Sequence, residues 1–230
     1  MSDKTDAFLH SQTRENLMRA FAGESQARNR YTIAAGVANK AGLAVIQGVF
    51  LFTAEQERVH AKQFYAALAD CAGQTIKVDG TYPVDICSGM LDYLRAAQHN
   101  EYQEWEHDYD HFAKTAMSEG FPLVGKLFEN IARVEKSHGD RFGKFADLME
   151  KDQLFFSDVE VQWMCLHCGF VLDATAAPLT APSAATPRGT LCGSRWRPGH
   201  NNKTPPWKNQ GGVRPFQILR PGLRRPDSAG

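Results

Sequence analysis

The chain has 230 residues, with 26 Lys+Arg against 26 Asp+Glu and five Cys, a size for one domain with an appendage or for two domains. Its longest apolar run, around residues 43–52, is too short to cross a bilayer and is interrupted by Gln47 and Gly48, which excludes a helical membrane span. The zero net charge conceals an asymmetry: residues 181–230 hold nine Lys/Arg and one acid, Asp227, and carry +8, whereas residues 1–180 hold 17 basic and 25 acidic residues and carry −8. The acidic part argues against nucleic acid as a main partner. The polar start, Met1-Ser-Asp-Lys-Thr-Asp, lacks the apolar stretch of a secretory signal. With an odd number of cysteines, which argues against a disulfide scaffold, this sets the expectation of a reducing cytoplasm.

Four long helices are predicted. The first begins near Thr13, with Glu15 in its first turn, and ends near Asn39, where Gly42 is a stop. The second covers about residues 43–69. The third follows Ser88, read as its N-cap, and reaches about Ser118; Gly120 and Pro122 mark the break before a fourth that ends near Glu150. Apolar residues recur at helical spacing: Leu17 and Phe21; Val45, Val49 and Phe52; Leu127, Ile131 and Val134; Phe142, Phe145 and Leu148. Of eleven prolines, only Pro83 and Pro122 precede residue 178, so helix breakers are concentrated at the end of the chain.

The connections suggest a topology. The first and third links are short, so each joins antiparallel neighbours. The middle link, about residues 71–87, contains Gly73, Gly80 and Pro83 and could reach roughly 55 Å, enough to run the length of a helix. Two antiparallel pairs joined by one long crossover give an all-α, ferritin-like four-helix bundle. Beyond it, Asp158-Val-Glu-Val-Gln-Trp-Met alternates and reads as a short strand. Residues 180–230, rich in Pro, Gly and Arg and without periodicity, read as a disordered tail.

The helices carry acids and histidines in a particular pattern. The second has Glu57-Arg-Val-His60 and the fourth Glu135-Lys-Ser-His138; the first has Glu24 and the third Glu101-Tyr-Gln-Glu104. Residues three apart share a helix face. One Glu from each of two helices plus Glu-x-x-His from each of the other two is the pattern of di-iron and di-manganese carboxylate bundles. Carboxylates can bridge and neutralise two divalent cations, and buried without metal they would carry a heavy desolvation penalty. A single Glu-x-x-His is more often a solvated helix face. Helix three also offers Glu104-Trp-Glu-His107 as a third match, and spacing alone does not choose between Glu101/Glu104 and Glu104/His107 there.

The segment Asn16-Leu-Met-Arg-Ala-Phe-Ala-Gly-Glu-Ser-Gln-Ala-Arg-Asn-Arg-Tyr31 resembles the first-helix signature of the rubrerythrin family. Thr53-Ala-Glu-Gln-Glu57-Arg-Val-His60-Ala-Lys, Glu101-x-x-Glu104 followed by Tyr109, and Ala132-Arg-Val-Glu135-Lys-Ser-His138 are similar to the other three. The resemblance covers about residues 10–178 and favours Glu101 and Glu104 over His107. It implies a di-iron site in which Glu57 and Glu135 bridge, Glu24 binds one iron, and Glu101 and His138 bind the other. Glu104 and His60 would exchange as ligands between the oxidised and reduced states, with Tyr31 and Tyr109 close to the site. It further implies reduction of hydrogen peroxide to water in oxidative-stress defence, electrons from rubredoxin or an NAD(P)H-linked reductase, and a homodimer.

The resemblance also implies a rubredoxin-like tail with an Fe(Cys)₄ centre, of which Cys165-Leu-His-Cys168 would be the first half. Where a second Cys-Pro-x-Cys is expected, the chain reads Ala181-Pro182-Ser183-Ala184-Ala185-Thr186-Pro187, and Cys192 is the one later cysteine. Three thiols cannot supply four ligands, so residues 157–179 are an incomplete segment and the Fe(Cys)₄ centre is doubtful. GC-rich codons for Cys-Pro-x-Cys-Gly-His-Pro read one base out of frame would give this string. Two other readings compete: a ferritin-like iron-binding protein with ferroxidase activity, and a metal-free helical bundle with surface acids.

Overall fold

The computed structural model describes residues 3–183 and 185–193. A short helix, α1 (Asp3–Leu9), precedes the long α2 (Gln12–Lys40) and α3 (Ala44–Ala67). Ser11 caps α2, its side chain accepting from the backbone N–H of Arg14. A second cap comes from far along the chain. The Glu119 carboxylate accepts from the backbone N–H groups of Gln12 (2.9 Å) and Thr13 (2.8 Å) and from the Thr13 hydroxyl (2.6 Å). An acid at a helix N-terminus satisfies orphan donors and meets the positive end of the helix dipole. A row of buried alanines on α2, including Ala20, Ala27, Ala34 and Ala38, lets α3 lie close against it.

The third predicted helix differs from expectation in two ways. Its N-cap is Gly89, not Ser88; the Ser88 hydroxyl donates instead to Asp92 Oδ2 at 3.1 Å. It is also not one α-helix: α4 (Met90–Gln103) passes through a π-helical segment, Glu104–Asp108, into α5 (Tyr109–Ser118). At about 100° per residue, Glu101 and Tyr109 would sit roughly 80° apart on a continuous α-helix. The one extra residue of the π segment brings them roughly into phase, and both point inward. Helix α6 (Pro122–Glu150) starts with Pro at its first turn, as that residue favours. α4 and α5 pack on α6, and the 72–89 crossover runs between the pairs without regular structure. Arg30 ties the crossover to α2 through Asp85, which also accepts from Asn100 Nδ2 at 2.9 Å.

Two apolar clusters fill the bundle. One contains Tyr31, Ile46, Phe50, Leu94 and Phe142; the other contains Leu17, Phe64, Tyr109, Phe128 and Ile131. A polar layer separates them.

After the bundle, β1 (Phe156–Cys165) is the central strand of a small antiparallel sheet, flanked by β2 (Val171–Ala176) and β3 (Leu191–Gly193). The expectation of disorder from residue 180 is corrected for its first part. Thr180 bridges to Pro187, and Leu191–Gly193 pairs with Cys165, Met164 and Trp163. Leu191 and Ala181 are buried with Trp163 in this unit's own apolar cluster. That burial holds a segment which its Pro- and Gly-rich composition had suggested could not order. Residues 194–230 of the expected tail lie outside the described residues.

Candidate metal centre

The polar layer collects one or two side chains from each long helix. Glu24 (α2), Glu57 and His60 (α3), Glu101 (α4), and Glu135 and His138 (α6) are all buried, with Glu24, Glu135 and His138 fully so. They form two overlapping groups whose potential ligand atoms lie within 4.8 Å of one another: Glu24, Glu57, His60 and Glu135, and Glu57, Glu101, Glu135 and His138.

Glu57 and Glu135 belong to both groups, and each turns a different oxygen to each. Towards His60 Nδ1 face Glu57 Oε2 at 3.1 Å and Glu135 Oε1 at 2.9 Å. Towards His138 Nδ1 face Glu57 Oε1 at 3.0 Å and Glu135 Oε2 at 2.7 Å. Glu24 Oε2 is 3.6 Å from His60 Nδ1, and Glu101 Oε2 is 3.5 Å from His138 Nδ1. The imidazole rings stack with centroids 5.6 Å apart. The result is a near-symmetric pair of half-sites sharing two carboxylates.

The tyrosines complete that symmetry. The Tyr31 hydroxyl donates to Glu101 Oε1, and the Tyr109 hydroxyl donates to Glu24 Oε1. Each fixes one oxygen of a terminal carboxylate and leaves the other aimed into the layer. Glu104 stands apart. It is half-buried and lines, with Tyr109, Gly23, Tyr82 and His99, a cleft of about 670 Å³. His107 is exposed and joins neither group.

The electrostatics show a site short of positive charge. Burial, and then repulsion from Glu135, holds the Glu24 carboxyl well above its usual range; burial and Glu57 push Glu101 up to about 8. Burial also raises Glu104, with Glu24 and Glu101 adding to it. For Glu57 and Glu135 burial works upward too, but the facing imidazoles outweigh it and lower both. Burial would lower the two histidines, yet the surrounding carboxylates raise them well above the usual imidazole value.

Several buried polar atoms lack hydrogen-bond partners: Glu24 Oε2, Glu57 Oε1, Glu101 Oε2, both oxygens of Glu135 and both ring nitrogens of His138. Close approach without hydrogen-bond alignment marks groups that converge on points in space rather than on one another. Mixed carboxylate and imidazole donors, near-symmetric and doubly bridged, fit a pair of divalent first-row metals.

One contributor escaped the sequence reading. Arg141 lies one turn beyond His138 on α6. Its Nη1 donates to Thr53 Oγ1 (2.7 Å) and Gln56 Oε1 (3.0 Å), and its charge acts on Glu57, Glu101 and Glu135. Its spacing of three from His138 was the available signal.

The rubrerythrin family model matches residues 15–146, which contain every residue of this layer. The curated rubrerythrin of Clostridium perfringens is 41% identical over 77% of this chain and 92% of its own length. The chain belongs to the rubrerythrin family. The rubrerythrin of Nitratidesulfovibrio vulgaris is 36% identical over 81% of the chain and 97% of its own length. Among solved structures, fully reduced nigerythrin superposes with a TM-score of 0.54 at 24% identity, covering 80% of this chain and 90% of that one. Desulfovibrio desulfuricans bacterioferritin reaches 0.57 at 18% identity, over 66% and 87% respectively. These two support the ferritin-like fold. A rubrerythrin-family chain with a buried carboxylate–histidine layer of this form supports a di-iron protein and an oxidoreductase. Among the described residues, no helix is long and apolar enough to cross a membrane.

The second expected site has a different character. Cys165 is buried at the end of β1, and Cys168 is exposed. Burial acts to raise the Cys165 thiol, but the hydroxyls of Thr186 and Thr190 and nearby backbone N–H groups bring it down to about 6. No third Cys, His, Asp or Glu joins the pair among the described residues. Cys192 is buried in the bundle's apolar cluster, with Sγ 3.6 Å from its neighbour Gly193's carbonyl oxygen.

Proposed function

We propose that this rubrerythrin-family chain is a di-iron peroxide reductase of the cytoplasm, with the reaction carried by residues 10–152. The observation that carries the reading is the two-faced placement of Glu57 and Glu135, each offering one oxygen to either half-site. Glu24 and His60 would complete one half, and Glu101 and His138 the other. Iron held there would supply the two electrons that, with two protons, turn one hydrogen peroxide into two waters.

The protein's own part is to hold and to exclude. Tyr31 and Tyr109 orient the terminal carboxylates, the apolar clusters above and below keep bulk water out, and Arg141 offsets part of the acidic charge. A small neutral oxidant would approach through the cleft lined by Glu104 and Tyr109, the latter bonded to Glu24 of the layer. Glu104 and His60 would be the pair that exchanges as ligands between oxidation states: His60 lies within the layer and Glu104 outside it, on the wall of the cleft.

Electrons would come from rubredoxin or an NAD(P)H-linked reductase to a homodimer, with no nucleic acid or membrane partner. Residues 157–179 lack the second thiol pair of a rubredoxin-type centre, so entry by that route is impaired. Iron content and the visible spectrum of the purified chain test the reading. About two irons per chain without the red absorption of a thiolate centre, and rapid oxidation of the reduced protein by one equivalent of hydrogen peroxide, are expected. Failure to retain metal after anaerobic reconstitution refutes it.

A further inference from the structure

We propose that Cys165 and Cys168 act as a redox-active dithiol that closes to an intramolecular disulfide, a site independent of the helical carboxylate layer. The turn between them is tight: Gly169, at φ +77°, donates its N–H to the Cys165 carbonyl at 2.9 Å. Residues three apart in such a turn bring their Cα atoms within about 7 Å, overlapping the roughly 4.4–6.8 Å that a disulfide bridges.

What faces the two sulfurs is hydroxyl rather than thiol. Ser183 Oγ lies 3.1 Å from Cys168 Sγ; Thr186 Oγ1 and Thr190 Oγ1 lie 3.3 and 3.6 Å from Cys165 Sγ. Neutral hydroxyls can donate to a thiolate, but they do not replace the third and fourth thiolate or imidazole ligands of a tetrahedral iron or zinc site. The loop therefore retains the chemistry of a two-thiol Cys-x-x-Cys turn.

Exposure assigns the roles. Cys168 is exposed and meets the oxidant, whereas Cys165 is buried behind it. With a peroxide as oxidant, the Cys168 thiolate attacks one oxygen, the O–O bond breaks, and a sulfenic acid and hydroxide form. The Cys165 thiolate then attacks the sulfenic sulfur, forming S–S and expelling a second hydroxide. The two thiol protons convert both hydroxides to water. A small-molecule or protein dithiol returns the two electrons and two protons by exchange.

The test treats the reduced full-length protein with two equivalents of hydrogen peroxide, one for the metal layer and one for the dithiol, unfolds it in guanidinium containing N-ethylmaleimide and weighs the peptide containing both cysteines. The expected product has lost two hydrogens, resists alkylation and is restored by dithiothreitol. Cys168→Ser should leave Cys165 fully alkylatable. The same disulfide should form in Glu57→Ala, which separates this inference from the metal reading. Alkylation of both thiols after peroxide, a disulfide to Cys71, Cys87 or Cys192 instead, or stoichiometric metal retained on this pair overturns the proposal.

Discussion

Sharing of Glu57 and Glu135 between half-sites makes metal loss unequal among ligand variants. Glu57→Ala removes one donor from each group of four, whereas Glu24→Ala or Glu101→Ala removes one donor from a single group. The wild-type chain should retain about two metals, Glu24→Ala and Glu101→Ala about one, and Glu57→Ala and Glu135→Ala close to none. Stability should follow. A site filled at 100 times its dissociation constant stabilises the native state by about 2.7 kcal/mol, so two sites give about 5.4. At roughly 2–4 °C per kcal/mol for a domain of this size, metal should raise the wild-type Tm by about 11–22 °C. The terminal-ligand variants should keep about half of that rise, and the shared-ligand variants almost none of it. Comparing each variant with and without metal cancels the effect of deleting a buried acid from the apo protein. The assay is calorimetry with metal analysis on the same samples. Loss of only one metal from Glu57→Ala, or of both from Glu24→Ala, would refute the shared-carboxylate geometry.

Three other outcomes are expected. Tyr109→Phe leaves Glu24 Oε1 without its donor in a buried setting; an unsatisfied buried group costs about 1–3 kcal/mol, so Tm should drop by roughly 2–12 °C while metal content is kept. Glu119→Ala should cost about 0.5–2 kcal/mol at pH 7 through the lost α2 cap, read by urea denaturation. Burial works to raise the Glu119 carboxyl, but its bonds from Thr13 and Gln12 outweigh this and lower it. Its contribution is therefore present above the unfolded carboxylate pKa and lost as pH falls through the lower folded value, so wild type and variant should converge in acid. In turnover assays, NAD(P)H-linked reductase or rubredoxin should drive slow peroxide reduction despite a fast single oxidation. A fast steady-state rate would show that electron entry does not need the second thiol pair.

Most of the helical frame was legible because its signals are local. Gly42 and Gly120 adopt positive φ at the predicted stops, and Pro122 opens α6 where expected. The acids and histidines were legible because their pattern recurs on four helices, and all but Glu104 fall in the two buried groups. Less local features were hidden. The Glu119 cap joins residues more than 100 positions apart, and nothing in residues 104–108 announces a π segment, which packs on α6. Order as far as Gly193 was missed because the stabilising partner of Leu191 is Trp163, far back in the chain.

The π segment sets local regularity against function. Deleting one residue from Glu104–Asp108 would let the chain close the gap with ordinary α-helical bonding, giving a straighter and intrinsically more stable helix. That same repair would swing every residue of α5 by about 100°, withdrawing Tyr109 from Glu24 and turning Glu119 away from the start of α2. The irregular turn thus acts as a length constraint. A change in residue count there disconnects the buried layer and the cap of a different helix together.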